Sequence, residues 1–367
     1  MKCGLYIHIP FCKQKCNYCD FASFSGQESY IDKYLSAVGK EAALRKGVAC
    51  QTLYIGGGTP SLLSVTQLQK LGSLIEKYFM DISRFEESTF EANPESLTSF
   101  KTDTLRKMGF NRISIGLQSF HDDELQLLGR VHTASRFLTA YQAARKSGFE
   151  NINVDLIAGL PGQTEERFID SLKKLIDLQP QHISVYGLQI EEGTAFFKQG
   201  VACDQLLMRR ILEKAQTVLK QAGYHHYEIS NFAKPGYEAR HNTHYWKNGE
   251  YIGLGSAAVS YQRGVRYQNT PSISEYISRI GQNLSPVVFT EKLTGKQKVG
   301  ETLMLAFRRL DGVTLSPLQE KFFGKEIERH IQNGLLTRSN KKVKLTQEGI
   351  YLANEVFRSF VIPFENT

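Results

Sequence analysis

Cys12, Cys16 and Cys19 fall in the run His8-Ile9-Pro10-Phe11-Cys12-Lys13-Gln14-Lys15-Cys16-Asn17-Tyr18-Cys19-Asp20-Phe21, spaced C-x3-C-x2-C with an aromatic residue before the third cysteine. Closely spaced cysteine thiolates on one loop are typical holders of iron–sulfur clusters. Three of them can hold three irons of a [4Fe–4S] cube and leave the fourth iron without a protein ligand. An open iron can bind a small molecule and pass it an electron. Zinc is the rival, because these three cysteines with His8 would make a tetrahedral set. Zinc sites usually pair their ligands at two separated places, and the chain has no second pair. Cys3, Cys50 and Cys203 stand apart in the sequence and read as ordinary small buried residues.

The rest of the chain bounds what such a loop can belong to. With 367 residues and 41% hydrophobic content it can build a sizeable core, and six cysteines do not make a disulfide scaffold. Met1-Lys2-Cys3 is not followed by a charged-then-apolar signal pattern, and no apolar stretch approaches the roughly 18 residues of a membrane span. The expectation is a soluble, cytoplasmic protein with reduced thiols. The net charge of +8 is scattered, so by itself it chooses none of nucleic acid, an acidic membrane surface or an anionic ligand.

Short apolar or β-branched runs recur at Leu5–Pro10, Thr52–Gly57, Ser88–Asn93, Arg112–Gln118, Asn151–Leu160 and His182–Gln189. Amphipathic stretches lie between and after them, at Ser29–Lys46, Val65–Phe79, Ser99–Met108, Ala134–Ser147, Glu165–Leu178 and Asp204–Ala222. Six strand-then-helix units predict an α/β fold with a parallel sheet and right-handed crossovers. Six are too few for a closed eight-fold barrel, so the expected architecture is an open, partial (β/α)6 barrel over residues 1–225. Residues 226–289 read as a motif-bearing region and connecting segment, rich in aromatics, Gly, Asn and His over 224–270, and 290–367 as a mainly helical, winged-helix-like domain. In that last domain the pattern gives a helix at Lys292–Leu310, two short helical patterns, a hairpin at Leu335–Leu345 and a final helix at Gln347–Phe360.

In a barrel of this kind active sites sit at the C-terminal ends of the strands. The chemically loaded residues follow strand after strand: the cysteines after the first, Gly56-Gly57-Gly58-Thr59-Pro60 at the second, and Glu91-Ala92-Asn93-Pro94 at the third. Gln118 ends the fourth, and Asp155 lies within the fifth, before Gly159-Leu160-Pro161-Gly162.

These motifs carry a family resemblance. The cysteine loop resembles that of the radical S-adenosylmethionine (SAM) enzymes, and the flanking Tyr6-Ile7-His8-Ile9-Pro10-Phe11-Cys12 is similar to the subgroup of oxygen-independent coproporphyrinogen III oxidase. Gly56–Pro60, Ile115–Phe120 and Asp155–Gly162 match the same subgroup. The true oxidases carry a further cysteine two positions after the third, where this chain has Phe21. His241-Asn242-Thr243-His244-Tyr245 resembles instead the heme-binding H-N-x-x-Y motif of the HemW-type heme chaperones.

The resemblance implies that Cys12, Cys16 and Cys19 hold a [4Fe–4S] cluster whose open iron chelates SAM. Reductive cleavage of that SAM would give a 5′-deoxyadenosyl radical. It implies SAM contacts at Tyr6, Gly57 and Glu91, and maps a second SAM site onto Tyr18, Gly58, Thr59, Gln118, Arg130, Asp155 and Val259. Whether a second SAM binds stays open, and Arg130 also reads as an exposed helix-end cation. For heme, His241 is the implied axial ligand and Asn242 its positioning neighbour. Tyr245 is either a second ligand or a hydrogen-bond partner. The implied function is a heme chaperone that delivers heme to heme-dependent acceptor proteins and draws on an electron donor. The alternative is an enzyme, coproporphyrinogen III dehydrogenase. Nucleic acid is not an expected partner, since the helix pattern Gly324–Gly334 carries Glu326 and Glu328 beside Lys325 and Arg329. Membrane-surface association and homodimerisation are left open by the sequence.

Overall fold

A computed structural model describes residues 3–361; the first two and last six residues of the expected domains lie outside it. Six strands alternate with helices: β1 (Cys3–Ile9), β2 (Cys50–Gly57), β3 (Glu87–Ala92), β4 (Arg112–Gln118), β5 (Asn151–Ala158) and β6 (His182–Gly187). Each pairs in parallel with the next in chain order. The helices between and after them are α1 (Ile31–Ala43), α2 (Val65–Tyr78), α3 (Ser99–Lys107), α4 (Asp122–Leu127), α5 (Ala134–Lys146), α6 (Glu165–Asp177), α7 (Ala195–Lys198) and α8 (Gln205–Gln221). Their starts are written into the sequence. The side chains of Ser64, Thr98, Thr133, Thr164 and Asp204 each accept a backbone N–H in the first turn of the helix that follows, a cap worth about 1 kcal/mol.

Strand side chains alternate between faces, and here the two faces differ in chemistry. Leu5, Ile7, Leu53, Ile55, Phe90, Ile113, Ile115, Ile152, Val154 and Ile183 join the buried apolar core with helix residues such as Leu68, Leu71, Phe168 and Leu172. Each such side chain contributes roughly 1.5–3 kcal/mol by leaving water. The opposite face is polar and fills the barrel lumen: Tyr6 and His8, Thr52 and Tyr54, Glu91, Arg112 and Ser114, Asn153 and Asp155, His182 and Ser184. Several of these groups bond one another. His182 Nδ1 lies 2.5 Å from Asn153 Oδ1, and Asn153 Nδ2 donates to Ser114 and to Asp155.

The segment after α8 extends the sheet. It adds β7 (His225–Glu228), β8 (Asn231–Ala233), β9 (Tyr251–Leu254), β10 (Val259–Gln262), β11 (Val265–Asn269) and β12 (Val287–Lys292), with α9 (Arg240–Trp246) and α10 (Ile273–Gly281) among them. All join one twelve-stranded sheet in the order β12-β11-β10-β9-β1-β2-β3-β4-β5-β6-β8-β7. The barrel stays open because β9 takes the free edge of β1 in parallel and β8 takes that of β6. Gly253 is required where β9 meets β10, since a Cβ there would sit 2.1 Å from the Val259 carbonyl oxygen.

The C-terminal elements are α11 (Gly295–Ala306), β13 (Val313–Thr314), α12 (Pro317–Gln332), β14 (Leu336–Ser339), β15 (Lys342–Leu345), α13 (Gln347–Tyr351) and α14 (Ala353–Arg358). They share a core of their own around Leu303, Phe307, Phe323, Ile327, Val343, Val356 and Phe360. Two expectations are corrected. The two short helical patterns are one helix, α12, because burial of Phe323 and Ile327 outweighs the cost of about 1 kcal/mol for Gly324 in its middle. The final helix is broken at Leu352, which caps α13 and starts α14.

Candidate functional site

The C-terminal ends of the barrel strands open into a cavity of about 350 Å³. Cys12, Cys16 and Cys19 line it together with Tyr18, Gly57, Gly58, Thr59, Glu91, Gln118, Arg130 and Asp155. Residues scattered over the first 155 positions thus converge on the cysteine loop. The loop itself is fixed from below: Asn17 N–H donates to the Leu128 carbonyl, Asn17 Nδ2 to Leu127 and Gln14 Nε2 to Gly129. That same segment carries Arg130, whose Nη1 reaches Cys16 Sγ at 3.6 Å while Nη2 donates to Asn93 Oδ1 and the Gly116 carbonyl. Arg130 is therefore a cavity group and not an exposed helix-end cation.

The other two sulfurs also have polar neighbours. Thr59 Oγ1 donates to Cys12 Sγ at 3.5 Å, and Cys19 Sγ lies 3.8 Å from Ser23 Oγ. Hydroxyl groups so placed favour the thiolate, the form that binds metal, against the opposing effect of burial. A Cβ at Gly58 would lie 3.0 Å from Cys12 Sγ, so only glycine leaves that sulfur its room. Among the described residues no three His, Cys, Asp or Glu side chains converge as a single-ion site. His8, the fourth ligand of the zinc alternative, is committed elsewhere: Nδ1 bonds Tyr6 Oη and Nε2 the Ala22 carbonyl, both at 2.8 Å. Three thiols spread along one loop, with no fourth ligand, suit a cluster with an open iron.

Around the thiols stand groups that can hold a polar ligand. Glu91 accepts from Tyr54 Oη at 2.5 Å and from Gly57 N–H at 3.2 Å, and burial pushes its carboxyl up to about 7. Gly57 has φ +114°, with the His8 ring 2.6 Å from where a Cβ would sit. Gln118 ends β4 at φ 72°, a left-handed backbone unusual for a non-glycine residue. Asp155 accepts from Asn153 Nδ2 at 2.7 Å, and burial raises its carboxyl above the ordinary range.

A second cavity, about 720 Å³, lies on the other side of the Tyr6–His8–Tyr54 row. It is lined by His241, Asn242, Tyr245, Trp246, Tyr251 and Val259, with Met304 and Leu305 from α11. Tyr6 and Val259, read from the sequence as SAM contacts, line this cavity and not the cysteine one. The reason is register: Tyr6 is a layer below the rim, under His8, and Val259 begins β10 beside β9. Asp20 and Phe21 line both cavities, so the end of the cysteine loop is their common border. Phe21 is 64% exposed there.

His241 is held from every side. Buried Glu87 at the start of β3 accepts the backbone N–H groups of Arg240 and His241, both at 2.9 Å, and so fixes the first turn of α9. Thr52 Oγ1 meets His241 Nδ1 and Tyr245 Oη meets Nε2, each at 2.8 Å. The ring stacks on Tyr54 with centroids 5.2 Å apart. Burial pushes the imidazole down to about 3, so it is neutral, the form that coordinates metal. Trp246 Nε1 is buried in the same wall without a hydrogen-bond partner, with the Arg308 guanidinium 4.3 Å over its ring. Tyr54 is the residue that the sequence reading missed. Its hydroxyl serves Glu91 and its ring serves His241, and the signal was its place two residues after Thr52 on the lumen face of β2.

Known proteins resemble this chain over nearly its whole length. Residues 6–175 match the radical SAM superfamily model, and residues 293–352 the HemN C-terminal domain. A Bacillus subtilis protein named heme chaperone HemW is 37% identical over 372 residues, covering 97% of this chain and 98% of that one. An Escherichia coli protein of the same name is 33% identical, with 98% of each covered. The structure of Escherichia coli coproporphyrinogen III oxidase (HemN), described as a radical SAM enzyme, superposes with a TM-score of 0.85 over 98% of this chain and 90% of that one, at 24% identity. That likeness concerns the fold. The chain belongs to the radical SAM superfamily and, within it, to the HemW family.

Proposed function

We propose that this protein is a heme chaperone that takes up heme in the His241 cavity and passes it to heme-dependent acceptor proteins. The observation that carries the reading is one juxtaposition. A roomy, aromatic-walled cavity with a neutral histidine shares the end of the cysteine loop as its border with a cavity lined by three thiols. The 720 Å³ volume lies within the roughly 300–1,000 Å³ of small-molecule sites. The relatives named heme chaperone HemW span the whole chain, which supports the same assignment.

In this reading Cys12, Cys16 and Cys19 hold a [4Fe–4S] cluster, with Gly57, Gly58, Thr59, Glu91, Gln118, Arg130 and Asp155 available to SAM beside it. The cluster, when bound, supplies one electron to a ligand on its open iron. The chain's own part is to bind and orient. Arg130 places positive charge beside Cys16, and the Glu91 carboxylate offers acceptors to hydroxyl or ammonium groups. In the second cavity His241 supplies the nitrogen for heme iron and Asn242 the polar edge next to it. Tyr245 guards Nε2 until heme arrives, and Trp246 Nε1 offers an unsatisfied donor to an acidic edge of the porphyrin. An electron donor to the cluster and an acceptor for heme complete the partners of this reading. The described residues contain no helix long and apolar enough to cross a membrane.

The test is a heme titration of anaerobically reconstituted protein against His241→Ala, followed in the Soret band. The variant is expected to shift the band and lose about tenfold or more in affinity, some 1.4 kcal/mol. Identical titrations would remove His241 as ligand. Feeding coproporphyrinogen III, SAM and a reductant to the same preparation is expected to give no catalytic turnover. Sustained formation of protoporphyrinogen would replace the chaperone reading by the dehydrogenase one.

A further inference from the structure

Cys3 and Cys50 are 47 residues apart in sequence, and the fold brings them together. They are register partners on the neighbouring parallel strands β1 and β2, at the end of the barrel opposite the cysteine loop. Their sulfurs lie 3.0 Å apart, both side chains are buried, and Cys3 Sγ is also 3.4 Å from the Ala49 carbonyl. Adjacent strands hold paired Cα atoms about 4.8 Å apart, inside the roughly 4.4–6.8 Å that a disulfide spans. No other pair of sulfurs among the described residues makes such a contact.

What lies directly above this pair gives it a consequence. A bulge separates Cys3 from Gly4, so the next register pair is Gly4 with Thr52. Both touch His241. A Cβ on Gly4 would lie 3.1 Å from His241 Cε1, and Thr52 Oγ1 bonds His241 Nδ1 at 2.8 Å. The thiol pair therefore sits one residue along β1 and two along β2 from the Gly4–Thr52 pair that underlies His241.

We propose that Cys3 and Cys50 form a reversible redox pair whose disulfide fixes the β1–β2 floor beneath His241 and so alters ligand binding in that cavity. The oxidant is a small-molecule disulfide. One thiolate of the pair attacks it, releases one thiol and forms a mixed disulfide. The second thiolate then displaces the other half and closes the Cys3–Cys50 bond. The two protein thiols lose two protons and two electrons in all, and the reagent leaves as two thiols. Both sulfurs are buried, so exchange proceeds when the β1–β2 strand ends open, next to exposed Ala49. Hydrogen bonding from Cys50 holds the Cys3 thiol below its usual range, which favours Cys3 as the attacking thiolate. The effect on the cavity rests on the heme reading of His241, whereas the disulfide does not.

The experiment equilibrates anaerobic, cluster-loaded protein in glutathione buffers from fully reduced to fully oxidised, alkylates free thiols after an acid quench, and maps peptides without reduction. The expected product links residues 3–13 to 47–70 through Cys3 and Cys50, disappears with dithiothreitol, and leaves Cys203 alkylated throughout. Alkylated Cys3 and Cys50 at every ratio, or glutathione adducts without the link, would overturn the pair. Heme is then titrated into the oxidised and reduced forms after buffer exchange. Affinities are expected to differ by about fivefold, the low end of ordinary coupling between sites, and the difference should vanish in Cys50→Ser. Equal affinities in both forms would overturn the coupling while leaving the disulfide standing. Absence of heme binding in either form would overturn the His241 reading, an outcome that the peptide map keeps separate.

Discussion

The two cavities meet at Asp20 and Phe21, yet they are built on opposite principles. In the cysteine cavity the reactive groups already face the space they serve. Cys12, Cys16 and Cys19 come from one loop, and Glu91, Gln118, Arg130 and Asp155 come from strand ends or the loops after them. In the second cavity the atom that should meet a ligand is tied back, with both nitrogens of His241 bonded, one to Thr52 and one to Tyr245. On the proposed reading the first holds a cofactor, and the second opens for a cargo and closes again. A chaperone needs this asymmetry, because a site that releases its ligand must have an alternative partner for the ligating atom.

The sharpest way to break the comparison is to empty one cavity and watch the other. Cys12→Ala removes the most buried of the three thiols. Iron content should fall from about four per chain to below one, by the cluster stoichiometry. Heme titration should stay within about twofold of wild type, since nothing on the Tyr6–His8–Tyr54 row is changed and separated sites act nearly independently. If heme affinity collapses with the cluster, the two cavities act as one site.

The same contrast explains what could be read from the sequence. The cysteine loop was legible because its ligands are neighbours in the chain, and the strand-end residues were legible because a parallel barrel sends its strand ends to one rim. The second cavity was not. Its walls come from Tyr6 and His8, Tyr54, α9, β9–β11 and α11, and they meet only because β9 inserts beside β1. Tyr6 and Val259 border this second cavity for the same reason: their types were informative and their layer in the lumen was not. Cys3 and Cys50 looked isolated for the same cause, since register between β1 and β2 is a tertiary fact. The open six-strand barrel was foreseen, but the six further strands were hidden in short runs broken by Gly and Asn.

Tyr245 offers a subtler cut. If its hydroxyl only holds Nε2 closed, Tyr245→Phe should tighten heme binding. A net hydrogen bond of about 1 kcal/mol corresponds to about a fivefold gain, read from the Soret titration, with uptake faster in stopped flow. A loss of about tenfold would mean that the phenol oxygen itself ligates iron, and the second cavity would then hold a two-residue ligand set in place of a guarded one.

The smallest expected effect concerns Tyr54, whose hydroxyl bonds Glu91 of one cavity and whose ring stacks on His241 of the other. Burial raises the Glu91 carboxyl to about 7 from an ordinary 4.5, while the Tyr54 hydroxyl bond works in the lowering direction. The folded protein therefore binds a proton here that the unfolded chain has lost. Stability from this group is fully present below about pH 4.5 and is lost as pH rises towards 7. Glu91→Gln should flatten that part of the apo-protein's stability–pH curve. Tyr54→Phe should extend the decline to higher pH, a melting shift of order 2 °C at pH 8, and should leave heme binding near wild type because the ring still stacks on His241. A Glu91→Gln curve with the wild-type slope would show that the carboxyl is solvated rather than buried. A Tyr54→Phe variant that lost heme affinity would show that the hydroxyl, and not only the ring, carries a signal from the cysteine cavity to His241.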